Sequence, residues 1–263
     1  MSLKTILAAA AFALSAASNA GVALAETIKI GVTPGPHAEI LEQVKPIAHA
    51  KGLDIEIVEF SDYVVPNAAL DSGELDANSF QHEPYLVNEI DKRGYKISKV
   101  ANTVTFPIGI YSKKIKAIAE LRDGAKVGIP NDPTNGGRVL LLLQSAGLIK
   151  LADGVGLKPT VIDIAENPKN LEIIELDAAQ LPRSLDDTDI SAINTNYAVE
   201  AGLDPAKDAI LREAADGPYV NIIAVQTARK DEPWVKTLVE SYHSDAVKQF
   251  IQARFKGAVI AGW

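Results

Sequence analysis

Strand-like and helix-like segments alternate along this chain from Thr27 onward, and few folds accommodate that order. Thr27–Val32 reads as a strand, and Pro34-Gly35-Pro36 turns the chain. Ile40, Leu41, Val44, Ile47 and Ala48 then recur at helical spacing until Gly52 stops the run. Leu53–Phe60 alternates apolar and polar residues, which is the period of a half-buried strand. A short helix near Asn67–Leu70 ends around Gly73, and Leu75–Phe80 reads as a third strand. A helix opening at His82-Glu83-Pro84-Tyr85 runs to Gly94, and Tyr95–Thr105 returns as a strand. Serial βα units bury helices against the faces of a sheet, so the expected class is α/β with mostly parallel sheets flanked by helices.

A second series follows. Phe106-Pro-Ile-Gly-Ile-Tyr-Ser reads as a strand crossing into a second lobe. Val127–Ile129 is the next strand, followed by a helix through Arg138 that ends at Gly147. Thr160–Ile164, Leu171–Leu176 and Ile190–Asn194 read as further strands, with a short helix near Leu181–Leu185. The apolar run Tyr219–Val225 carries the chain back, and Asp231–Lys256 reads as two helical pieces broken near Ser244-Asp245. The expected divisions are 1–25 as a signal peptide, 26–108 as lobe 1, 109–221 as lobe 2, and 222–263 returning to lobe 1. Two crossing strands would join the lobes. In such folds small ligands sit in the crevice at the carboxyl ends of strands.

The first 25 residues carry Lys4, a short apolar stretch from Ile6 to Leu14, and Ala23-Leu24-Ala25. That is the pattern of a cleaved export signal, too short to span a membrane, with Glu26 as the expected first mature residue. The chain has no cysteine. A disulfide, a thiol nucleophile, a thiolate metal site and a lipidated cysteine are therefore all excluded, and a soluble, monomeric periplasmic protein without a lipid anchor is expected. The formal charge is −8. An acidic surface argues against nucleic acid and anionic membranes as partners.

Pro130-Asn-Asp-Pro-Thr-Asn-Gly-Gly-Arg138 is the sharpest local signal. Asn131 or Asp132 can cap a helix, and Pro133 suits its first turn. Arg138 would stand beside backbone N–H groups at a helix N-terminus, where an anion is received well, and its fork can hold a carboxylate by two parallel hydrogen bonds. No Lys-Ser/Thr follows the glycines, so this is no nucleotide P-loop. Three more clusters stand at strand ends or helix starts: Asp62-Tyr63, Phe80-Gln-His-Glu-Pro-Tyr85, and Asn194-Thr-Asn-Tyr197 with Tyr219-Val-Asn221. Together they supply aromatic faces, an imidazole, a guanidinium and several amides, a set suited to a small zwitterion with an apolar side chain. Each residue also has a plain structural role open to it. His82 can be a helix cap, Tyr63 and Phe80 can be core, and Asn194 can end a strand. Asn221 is flanked by Val220, Ile222 and Ile223, and an amide there needs a partner.

In order along the chain, Glu59-Phe-Ser-Asp-Tyr-Val-Val-Pro-Asn67, Ala77-Asn-Ser-Phe-Gln-His-Glu-Pro-Tyr-Leu86, Pro130–Arg138, Glu166-Asn-Pro-Lys-Asn-Leu171, Leu181-Pro-Arg-Ser-Leu-Asp-Asp187 and Pro218-Tyr-Val-Asn221 resemble the MetQ/NlpA family of substrate-binding proteins. The resemblance implies a two-lobed periplasmic-binding-protein fold that holds L-methionine or a close analogue in its cleft. Its partners would be the membrane permease and ATPase subunits of an ABC importer. Carried onto this chain, it implies that Arg138 holds the ligand carboxylate. Asn194 and Asn221 would meet the amino and carboxylate groups, with Asn135 beside Arg138. Tyr63, Phe80, His82 and Tyr85 would line the side-chain pocket. Many members carry a lipidated cysteine after the signal, and this chain has Ala25-Glu26 there.

Rival readings are a binding protein for another small apolar amino acid, a methionine-containing dipeptide or a metal ion, and an exported enzyme. His37, His49, His82 and His243 show no tight metal-ligand spacing, and no G-x-S-x-G elbow occurs. The expectation is a non-enzymatic binding protein with no cofactor and no metal.

Overall fold

The computed structural model describes residues 26–263, so the expected signal segment lies outside the described residues. The first series is β1 (Glu26–Val32), α1 (Pro36–His49), β2 (Leu53–Glu59), α2 (Val65–Ser72), β3 (Ala77–Asn78), α3 (Glu83–Arg93) and β4 (Ile97–Thr105). Local chemistry sets these ends. α1 opens on Pro36 and buries the stripe Ile40, Leu41, Val44 and Ala48. α2 and α3 stop at Gly73 and Gly94, both left-handed with φ of 82° and 73°, a conformation that costs glycine little.

The second series is β5 (Gly109–Tyr111), β6 (Lys126–Pro130), α4 (Pro133–Ser145), β7 (Lys150–Leu151), β8 (Ile164–Glu166), β9 (Glu172–Leu176), α5 (Leu181–Ser184), β10 (Ile190–Ile193), α6 (Thr195–Glu200) and β11 (Leu211–Arg212). The chain then returns through β12 (Val220–Gln226), α7 (Pro233–Tyr242), α8 (Asp245–Phe255) and β13 (Ile260–Ala261). Ser244 caps α8, its side chain accepting from the Val247 N–H, so the expected break falls there.

Two sheets result, one per lobe. The first runs β13-β4-β12-β3-β1-β2 and the second β11-β5-β10-β6-β9. β1 pairs in parallel with β2 and β3, and β6 with β9 and β10, as the βα units require. Antiparallel pairing enters with the crossing and returning strands. β12 runs against both β3 and β4, β13 against β4, and β5 against β10 and β11. A strand that comes back from the other lobe points the opposite way, so both sheets are mixed.

Each sheet has its own core. Ile28, Ile30, Val32, Leu238 and Ile251 are among the residues buried in the first lobe. Ile110, Val127, Ile129, Leu140 and Ile190 are among those in the second. The first crossing is tied to the end of β11: Glu213 N donates to Ile108 O at 3.0 Å, and Ile108 N to a Glu213 carboxylate oxygen at 3.3 Å.

One expected strand is not in the main sheet. Thr160–Asp163 forms a capping box around a short 3-10 turn, the Thr160 hydroxyl and the Asp163 carboxylate serving each other's backbone. Only Ile164–Glu166 stays extended, and it pairs with β7 in a separate two-stranded ribbon. The β-branched run Val161, Ile162 and Ile164 reads as a strand, but Ile162 is exposed.

Candidate ligand-binding site

A small, largely filled cavity lies between the lobes, and all eight residues expected at a site line it. The first lobe contributes Tyr63, Phe80, His82 and Tyr85, and the returning strand β12 brings Asn221 to the boundary between the lobes. The second contributes Asn135, Arg138 and Asn194. Gln81, Phe106, Thr195 and Asn196 complete the wall. Three of these four stand inside the quoted clusters; Phe106 is the first residue of the crossing.

Phe80, Gln81 and His82 form the loop between β3 and α3, and buried amides fix it. Gln81 and Asn67 exchange hydrogen bonds of 2.8 and 2.6 Å, and Asn78 joins through 2.9 and 3.0 Å bonds. Gln81 O also accepts from Ile222 N at 2.9 Å, which ties the loop to β12. Each buried amide finds partners, so the loop is held by a satisfied network.

His82 is both the helix cap and a wall residue. Its Nδ1 accepts from the Tyr85 N–H at 3.1 Å, which leaves the proton on Nε2 to donate to Asn135 Oδ1 at 3.1 Å. Burial, with Arg138 nearby, pushes its pKa down to about 3, so the ring is neutral at pH 7. Asn221 Nδ2 donates to His37 Nε2 at 3.1 Å, and burial likewise lowers His37 to about 3. His37 lies against Phe106, with ring centroids 4.7 Å apart. Burial raises the pKa of Tyr63 and Tyr85, so both phenols stay protonated. Tyr63 packs on Phe80, Tyr85 and Tyr197, with centroids 6.0, 6.2 and 5.0 Å away, giving one apolar wall.

The polar wall is built on α4. Asn135 Oδ1 also accepts from Asn194 Nδ2 at 3.0 Å, while Asn135 Nδ2 donates to Asp132 at 2.9 Å. Asn194 Oδ1 and Asn196 Nδ2 are buried without a protein partner, one an acceptor and one a donor. The two glycines before Arg138 serve close packing. A Cβ at Gly136 would stand 2.7 Å from Pro130 O, and one at Gly137 would stand 2.9 Å from Lys158 Cα.

Two expectations about this helix change. Its N-terminal N–H groups are not open to an anion, because the Asp132 carboxylate already accepts from Thr134 N and Asn135 N at 3.2 and 2.9 Å. The Arg138 fork is also engaged. Its Nε donates to Glu213 at 3.0 Å, and its Nη2 to Glu213 and to Phe106 O, the latter at 2.8 Å. Tyr219 lies 4.3 Å from the guanidinium carbon. Nη1 has no hydrogen-bond partner among the described residues, so Arg138 offers one nitrogen to the cavity rather than a fork. Glu213 was not legible as a partner: a lone Glu in the polar stretch Arg212–Asp216 gives no local signal.

Two sheets joined by paired crossings, closing on a cavity with one apolar and one amide-rich wall, define a two-lobed substrate-binding protein. The chain belongs to the NlpA lipoprotein family, whose model matches residues 28–263. It is 54% identical over 239 residues to the D-methionine-binding lipoprotein MetQ of Escherichia coli (strain K12), covering 90% of this chain and 88% of that protein. It is 50% identical over 263 residues to the probable D-methionine-binding lipoprotein MetQ of Vibrio cholerae serotype O1, covering 100% and 98%. A solved nutrient-binding protein from Burkholderia cenocepacia, bound to methionine, is 54% identical with a TM-score of 0.88, covering 90% of this chain and 100% of that one.

Proposed function

We propose that this protein captures methionine in the interlobe cavity and delivers it to the permease and ATPase subunits of an ABC importer. The observation that carries the reading is the cavity itself: an apolar wall of Tyr63, Phe80, His82 and Tyr85 faces a polar wall with one guanidinium nitrogen and unpartnered amide groups. The ligand carboxylate takes Arg138 Nη1 and amide N–H groups from Asn196 and Asn221. The ammonium takes Asn194 Oδ1, and Asn135 holds Asn194 and His82 in place. The thioether side chain lies against the rings, where sulfur–aromatic contacts are favourable. Relatives named for D-methionine make both enantiomers candidates.

The lobes are assigned as 26–108, 109–221 and 222–263, and the protein works as a monomer in the periplasm. No turnover is part of the reading. The relatives are called lipoproteins, but this sequence offers no cysteine for a lipid, and an unlipidated form beginning at Glu26 is proposed. Native mass spectrometry of protein purified from periplasmic extract, before and after mild denaturation, tests cargo and processing together. The expected result is an unmodified chain from Glu26 that releases one methionine. A different co-purifying molecule would overturn the cargo, and an acylated chain would overturn the processing.

A further inference from the structure

We propose that Glu213 is the residue that makes the cavity select a zwitterion over a bare carboxylate, by neutralising and orienting Arg138. The inference rests on reading the cavity as an amino-acid site. Glu213 does not line the cavity; it directly follows β11 and pairs with Arg138, with its side chain 15% exposed against 3% for the arginine. Both carboxylate oxygens face the Nε/Nη2 edge, at 3.0 Å from Nε for one and 2.5 Å from Nη2 for the other. The Glu213 backbone is fixed to Ile108, and Phe106 O takes the remaining Nη2 direction. The guanidinium is therefore held at Nε and Nη2 by Glu213 and Phe106 and on one face by Tyr219. It cannot swing its fork onto a ligand without giving up a buried partner.

The charge count at the site follows from these contacts. Among the described residues that line the cavity, Arg138 is the only ionised side chain, since His82 is neutral and the remainder are amides, a hydroxyl and aromatic rings. Glu213 already balances it, and Asp132, just behind Asn135, adds a further negative charge. A ligand with a carboxylate alone brings uncompensated negative charge into a desolvated space. A zwitterion brings its own ammonium, which the acceptor Asn194 Oδ1 can receive. If Glu213 loses its charge, the guanidinium is free to balance a bare carboxylate.

The test is titration calorimetry of the parent protein, Glu213→Gln and Glu213→Asp with L-methionine and with 4-(methylthio)butanoate, the same skeleton lacking the amino group. Thermal unfolding checks that each variant is folded. The parent should prefer methionine strongly, and Glu213→Gln should narrow that preference by about tenfold or more. Glu213→Asp, which keeps the charge but shortens the reach, should weaken methionine while keeping the preference. A Glu213→Gln protein with the parent preference, whether both ligands weaken or neither does, overturns the proposal while leaving the cargo intact. A parent that binds neither ligand overturns the cargo reading and this proposal with it. Should Glu213→Gln fail to fold, Glu213→Asp decides. Weaker methionine with the preference kept supports the proposal, and unchanged binding of both ligands overturns it.

Discussion

Arg138 has a structural obligation besides the binding role proposed for it, and substitution separates the two. Arg138→Ala leaves the Glu213 carboxylate nearly buried without its cation, which should lower stability by about 3–5 kcal/mol. It also removes the cation for the ligand carboxylate, at about 2–5 kcal/mol, or roughly 30- to several-thousand-fold in affinity. Adding Glu213→Gln should restore much of the stability but not the affinity, which separates the two roles. Asn221→Ala should cost about 1–3 kcal/mol of binding through one lost polar partner. Lys113→Ala should change little, since Lys113 is exposed and pairs only with exposed Asp186. Calorimetry beside urea denaturation reads all four proteins; a stable Arg138→Ala with parental affinity would contradict the assignment.

His37 and His82 make a pH prediction at the same scale. Both are buried and neutral in the fold, with pKa values of about 3, against an ordinary value of 6.5. Between those pH values the unfolded chain binds more protons than the folded one, so stability is full above about pH 6.5 and is lost as pH falls toward 3. At pH 4.5 each ring should account for about 2–3 kcal/mol of lost stability. Above pH 6.5 neither ring titrates, and their contribution is flat. Chemical denaturation of the parent, His37→Gln and His82→Gln between pH 4.5 and 7.5 measures this. Each variant should lose part of the acid slope, and unchanged slopes would contradict the buried neutral rings.

At the scale of elements, α4 carries two residues of the cavity wall, Asn135 and Arg138. Asp132 caps the helix through Thr134 and Asn135 and also holds the Asn135 amide. Asp132→Ala should therefore lower stability by about 1–2 kcal/mol and weaken methionine binding, because Asn135 loses its anchor. Urea denaturation with calorimetry checks the pair of effects, and a stability loss with no change in affinity would disconnect the cap from the site. Elements bounded by Pro and Gly were legible from sequence, because those residues act through their own backbone. α3 between Glu83-Pro84 and Gly94, and α4 from Pro133, fall where expected. The residues that line the cavity stand in the sequence as clusters at strand ends or helix starts, and His82 meets Asn135 of α4 across the cleft. What was not legible depends on distant residues: the Glu213 partner is 75 positions from Arg138. Thr160–Asp163 differs for another reason, since a side-chain capping box outweighed a strand-like run of β-branched residues.

At the scale of the whole molecule, the cavity closes through contacts that only the joined lobes can make. The Tyr63 hydroxyl donates to Asn196 at 2.6 Å, Tyr197 to Ser61 O at 3.2 Å, and His82 to Asn135. Under the proposed reading, ligand contacts with both walls would favour this closed form, and binding would shift an open–closed population about the crossings Phe106–Tyr111 and Tyr219–Ala224. Small-angle scattering of ligand-stripped protein should show a smaller radius of gyration at saturating methionine; an unchanged radius would contradict closure. The most direct test is calorimetric titration of folded, ligand-stripped protein with L- and D-methionine. The expected result is saturable binding at one site per chain for at least one enantiomer. The absence of saturable binding for both, with the protein folded, would contradict methionine as the cargo.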